Sequence, residues 1–164
     1  MKITLLTHEK ELGKRSNSGR VVMDTLGEAA EQIRWDRMNP PSGLLEEISA
    51  GGVALIYPGF MDEGEADLSG IRQVVLIDGT WHEARKIHQR SPYLQKIRRI
   101  SFRTERKSAY NLRKNQKESG LCTAECVIEV LLRSGNVAAA ELLQERFLAF
   151  IRPPGLMRGA VQGH

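Results

Sequence analysis

Cysteine is nearly absent from the chain, with two residues in 164. Cys122 and Cys126 stand four apart, which on a helix puts both on one face. That geometry suits a disulfide poorly, and two thiols are too few for a structural zinc site. Reduced thiols in a cytoplasmic protein are the expected state. Long apolar runs are missing as well: none approaches the roughly 18 residues a membrane span needs, so no membrane partner is expected. The stretch from Met1 to Glu9 turns charged too early for a signal peptide. Neither G-x-G-x-x-G nor G-x-x-x-x-G-K-[ST] occurs, which counts against ordinary dinucleotide and P-loop sites. No G-x-S-x-G elbow supports Ser-His-Asp catalysis. His82 and His88 are six apart, out of phase for sharing a helical face, and no metal site is expected.

What is present reads as one domain over residues 1–152 with a C-terminal tail over 153–164. The chain carries no internal repeat. Short apolar strands are expected at 2–6, 32–35, 53–57, 71–78 and within 98–103. They alternate with helical patterns beginning near Arg20, Ser42, Gly79, Pro92, Thr123 and Asn136. Strands that read as continuous apolar runs and alternate with helices predict an α/β fold with a mostly parallel sheet.

Net charge is only +4, but it is unevenly placed. Between Lys96 and Lys117 nine basic residues stand against Glu105 alone. Phe102 and Tyr110 are interleaved with them. Phosphates attract such a segment and aromatics stack on unpaired bases, so a polyanion partner, RNA, is expected.

The most informative segment is Asp78-Gly79-Thr80-Trp81. An apolar run from Val74 to Ile77 ends on a carboxylate, a glycine and a hydroxyl follow, and an aromatic opens a basic amphipathic helix. Ligands of open α/β sheets bind beyond the carboxyl ends of strands, so this turn is where chemistry is expected. As a purely structural element, Asp78 would be the helix N-cap. Two further turns follow strands or open helices. They are Tyr57-Pro58-Gly59 and the segment from Ser119 to Glu125, in which Cys122 or Thr123 begins a helix and Glu125 falls in its first turn. A thiol at a helix N-terminus can be activated, but no histidine partner is identifiable, so an inert Cys122 is the better reading.

Five segments occur in an order that resembles the DTW-domain proteins. They are Thr7-His8-Glu9-Lys10-Glu11, Ser16-Asn17-Ser18-Gly19-Arg20, Leu76 to Trp81 with Ala84-Arg85-Lys86, Ser108 to Arg113, and Leu121 to Cys126. The resemblance covers roughly residues 3–133. It implies a SPOUT-like fold with a knotted C-terminal half. It also implies transfer of the 3-amino-3-carboxypropyl group of S-adenosylmethionine to N3 of a uridine in tRNA, with methylthioadenosine as by-product. Family members often carry a cysteine-rich segment ahead of the His-x-x-Glu motif, which this sequence does not contain, and Cys122 and Cys126 replace a usual serine and alanine. Rival readings are an RNA methyltransferase using the same donor and a non-catalytic RNA-binding module.

The reaction needs a positioned sulfonium donor and a group near the uracil N3 proton. With the resemblance added to the strand–turn–helix position, Asp78 is expected as the base or as the carboxylate that orients the uracil, and Trp81 as a wall of the pocket. Tyr57, Pro58, Gly59, Thr80, Leu121, Cys122 and Thr123 are the expected contacts to the donor. Glu125 is expected on a ribose hydroxyl or the donor's amino group. Arg20, Arg85, Lys86, Arg103, Arg106, Lys107 and Arg113 are the expected phosphate contacts.

Overall fold

The structure is a computed structural model, and residues 1–57, 67–102 and 121–152 are described. Five strands, β1 (Lys2–Thr7), β2 (Ala30–Arg34), β3 (Val53–Ile56), β4 (Gln73–Asp78) and β5 (Arg98–Ile100), form one sheet in the order β2-β1-β4-β3-β5. Every pairing is parallel, so the described sheet is wholly rather than mostly parallel. The helices are α1 (Gly19–Leu26), α2 (Ser42–Ala50), α3 (Trp81–Gln89), α4 (Pro92–Gln95), α5 (Thr123–Arg133) and α6 (Val137–Ile151). Short 3-10 turns lie at Glu9–Glu11 and Gly27–Ala29.

Side chains alternate across the sheet and so build two cores. On one face Ile3, Leu5, Val74 and Leu76 pack with Val22 of α1, Val127 of α5 and Leu143 and Phe147 of α6. On the other Leu6, Leu55 and Val75 pack with Leu44 of α2, Ile87 of α3 and Leu94 of α4. Strands covered on both faces must be apolar throughout, which is why β3 and β4 read as unbroken apolar runs.

The connections position the site. The chain leaves β1 into α1 on the first face, and leaves β4 into α3 on the second. Since β1 and β4 are neighbours, their carboxyl ends flank a topological switch point, where a crevice opens in such sheets. The last pair of that ladder is Thr7 with Asp78. Both continue the alternation of the first face, so two polar side chains are delivered beside the N-termini of α1 and α5.

Leu143 is fully buried whereas its neighbour Leu142 is 40% exposed. Leu143→Ala is expected to cost about 2–5 kcal/mol in urea unfolding by leaving a cavity under α6. Leu142→Ala is expected to change stability by no more than about 0.5 kcal/mol. Equal costs would contradict the docking of α6.

Candidate active site

Asp78 is 3% exposed, and three side chains donate to its carboxylate. Thr123 Oγ1 donates to Oδ1 at 2.9 Å, while Asn17 Nδ2 and Thr7 Oγ1 donate to Oδ2 at 3.0 and 3.2 Å. The donors come from the start of α5, the turn before α1 and the end of β1. Asn17 Nδ2 also donates to the buried Glu11 at 3.1 Å, so one amide group bridges two carboxylates. Lys14 Nζ lies 3.0 Å from the other oxygen of Glu11. Burial, and secondarily the nearby Glu11, push the Asp78 carboxyl above the ordinary carboxylate range against the pull of its three donors.

The N-cap expected at Asp78 is made by Thr80 instead. Thr80 Oγ1 accepts the Glu83 backbone N–H at 3.2 Å, and Glu83 Oε1 accepts the Thr80 N–H at 2.8 Å. This reciprocal capping box leaves the strand-terminal carboxylate to other partners. At α5 the side chain of Glu125 accepts the Cys122 N–H at 3.1 Å, so Glu125 works as a capping residue. Ser18 ends the turn before α1 but caps a different helix, its Oγ accepting the Ala124 N–H at 3.2 Å. The N-termini of α1 and α5 are thereby held together beside Asp78. Both present their positive ends there, which favours negative charge.

Trp81 opens α3, is half-buried, and stacks on Tyr57 with ring centroids 6.0 Å apart. Tyr57 is buried at the end of β3 and stacks also on His88 at 4.5 Å. Desolvation raises the Tyr57 hydroxyl above its ordinary pKa and lowers His88 below its own, with Arg99 adding to the effect on His88. Trp81 thus flanks the second core without entering it. Leu121, Cys122 and Thr123 are half-buried beside the Asp78 group. Burial pushes the Cys122 thiol far above its ordinary value and Cys126 up to about 12, which makes both poor nucleophiles.

Of the expected phosphate contacts, Arg20, Arg85 and Lys86 are exposed. Arg103, Arg106, Lys107 and Arg113 lie outside the described residues, as do Pro58, Gly59 and the segment from Ser108 to Arg113. Among the described residues there is no cluster of three or more metal-binding side chains. Four residues central to this group, Thr7, Glu11, Asn17 and Gly19, stand in segments that resemble the family but were not expected as site residues. Thr7 was visible as a polar side chain in phase with Ile3 and Leu5. The importance of Gly19 has no local signal, because it depends on a neighbour 59 positions away.

A Cβ at Gly19 would sit 2.7 Å from Asn17 Oδ1 and 2.8 Å from Asp78 Oδ2. Gly19→Ala is therefore expected to destabilise the fold by about 1–3 kcal/mol through overpacking. Gly43→Ala, where a Cβ meets nothing within 4 Å, is expected to be neutral or slightly stabilising. Urea unfolding distinguishes them, and equal effects would contradict the close approach at Gly19.

The direction of the Asp78 shift has a pH signature. A carboxyl that holds its proton more tightly when folded contributes stability below its ordinary value of 3.8, and that contribution is lost as pH rises through the folded-state value. The stability of the native protein relative to Asp78→Asn should therefore fall as pH is raised from about 4 to about 7. A difference that grows with pH would contradict the assignment.

The family model described as the DTW domain matches residues 1–153. That family is consistent with a tRNA-modifying role. No solved structure matches the chain.

Proposed function

We propose that this chain, which belongs to the DTW-domain family, is a tRNA-uridine aminocarboxypropyltransferase that uses S-adenosylmethionine. The observation that supports it best is convergence. Of the five segments that resemble the family, four meet at one carboxylate: one supplies Asp78 itself, and three donate to it through Thr7, Asn17 and Thr123. They meet at a switch point between strand ends, the place where α/β sheets bind ligands. As part of the same reading we assign a SPOUT-like chain path with a knotted C-terminal half.

The donor supplies an already activated carbon on its sulfonium, so the protein's task is placement. It carries two cationic groups, the sulfonium and the α-ammonium. The corner formed by Asp78, Glu11 and Asn17 Oδ1, a buried acceptor with no hydrogen-bond partner among the described residues, is rich in acceptors and suits such charges. Trp81 offers a half-exposed aromatic face, and Leu121 to Thr123 a partly apolar wall. Asp78 is enclosed by three donors, so action as a base toward the uracil N3–H requires the substrate to displace one of them. Otherwise the carboxylate orients the donor and the helix ends around it.

Incubation of the protein with unmodified tRNA and S-adenosylmethionine, followed by mass spectrometry of the nucleosides, tests this reading. The expected product is a uridine carrying the aminocarboxypropyl group; a methylated nucleoside or no product contradicts it. Asp78→Asn is expected to lower the transfer rate by about a hundredfold or more. Near-normal transfer by that variant would remove Asp78 from the reaction.

A further inference from the structure

Among the described residues, cations gather on α3, α4 and β5. From α3 to the end of β5 six cations, Arg85, Lys86, Arg90, Lys96, Arg98 and Arg99, stand against Glu83, which is engaged in capping. The α2 helix has Glu46 and Glu47 and no cation. The opposite layer, α1, α5 and α6, has more acids than bases, and two of its three arginines are engaged. Arg133 pairs with Glu129 at 3.7 Å and lies over the Phe102 ring, and Arg146 donates to the Asp24 carbonyl. By contrast Arg85, Lys86, Arg90 and Lys96 are exposed and form no ion pair with another described residue.

Register sorts the two arginines of the edge strand. Arg98 pairs with Ala54, a residue of the first core, and Arg99 with Leu55, a residue of the second. Arg99 therefore lies on the α3–α4 side, where it and Arg85 both act on Tyr57, and Arg98 lies on the other side, near Asp67. The side chain of Gln95 donates to the His88 carbonyl at 3.2 Å, which ties α4 and the following Lys96 to the end of α3. Arg85, Arg90, Lys96 and Arg99 thus belong to one shoulder, which begins at the Trp81 end of the switch point and runs to the sheet edge.

We propose that this shoulder docks the ribose-phosphate backbone of the RNA substrate, so that the tRNA approaches over α3, α4 and the β5 edge and not over α1, α5 and α6. The inference rests on the tRNA-modifying reading and adds to it the face used and the residues Arg90, Lys96 and Arg99. A polyanion gains from such a surface through release of its counterions, one phosphate contact at a time, so the surface has a direct signature in salt.

The test is the salt dependence of binding, read by fluorescence anisotropy of end-labelled unmodified tRNA as KCl is raised, on variants with unchanged thermal unfolding. The triple variant Arg90→Gln/Lys96→Gln/Arg99→Gln is expected to bind with a log–log salt slope shallower by about 2. Arg98→Gln, the same substitution as at Arg99 but on the other side of the strand, is expected to keep the native slope, without the loss of about 0.7–0.9 that one phosphate contact would give. A native slope in the triple variant overturns the proposal, as does a flattening by Arg98→Gln of about 0.7 or more, a full phosphate contact. Calorimetry with S-adenosylmethionine and nucleoside analysis are run alongside. Donor binding and product formation by the native protein, with an unchanged triple-variant slope, overturn the docking surface alone. A native protein that neither binds tRNA nor forms product overturns the functional reading and this surface together.

Discussion

A buried carboxylate at the end of a parallel strand is costly unless it is surrounded by donors. Asp78 meets that requirement with hydroxyls from two elements and an amide from a third. Because those donors belong to β1, the turn before α1 and the start of α5, the hydrogen bonds that offset the burial of Asp78 also fix where two helices begin. Remove the carboxylate and three segments lose a common partner. Enlarge Gly19 and the same partner is pushed away, since the backbone of α1 comes within contact of both Asp78 and Asn17.

The other polar devices of this edge are local and leave the central group undisturbed. Thr80 with Glu83, and Cys122 with Glu125, satisfy helix-end donors within a single turn. Ser18 works across the structure, accepting an N–H of α5 and holding it against α1. The site is therefore a nest of helix beginnings around one anion. Its aromatic side, Trp81 and Tyr57 with His88, grows from the strand next to β4 and from the helix that follows β4.

Legibility in the sequence followed the range of the interactions involved. Strand and helix positions were readable because each is marked by its own residues, such as the apolar run of β4, Pro92 at the start of α4 and Asn136 at the start of α6. Asp78 was readable as a functional position from its strand–turn–helix setting, but its partners were not. Thr7, Asn17 and Thr123 come together only through the parallel pairing of β1 with β4 and the docking of α1 and α5 beside it, which no local pattern encodes. The same limit explains the misplaced cap. Asp, Gly and Thr in succession give two capable N-cap residues, and only the strand register shows that Asp78 points into the first core's edge while Thr80 is left to start the helix. The basic character of the chain was also visible, yet the placing of Arg98 and Arg99 on opposite faces of the sheet needed the register of β5.

The central claim is that donor and uridine meet at the carboxyl ends of β1 and β4. A crystal structure of the protein with S-adenosylmethionine bound tests it most directly. The account predicts the donor at that edge, with its cationic groups toward Asp78 and Asn17 and its body between Trp81 and the segment from Leu121 to Thr123. A donor bound at the opposite edge of the sheet, or on the α1–α5–α6 surface away from Asp78, would contradict it.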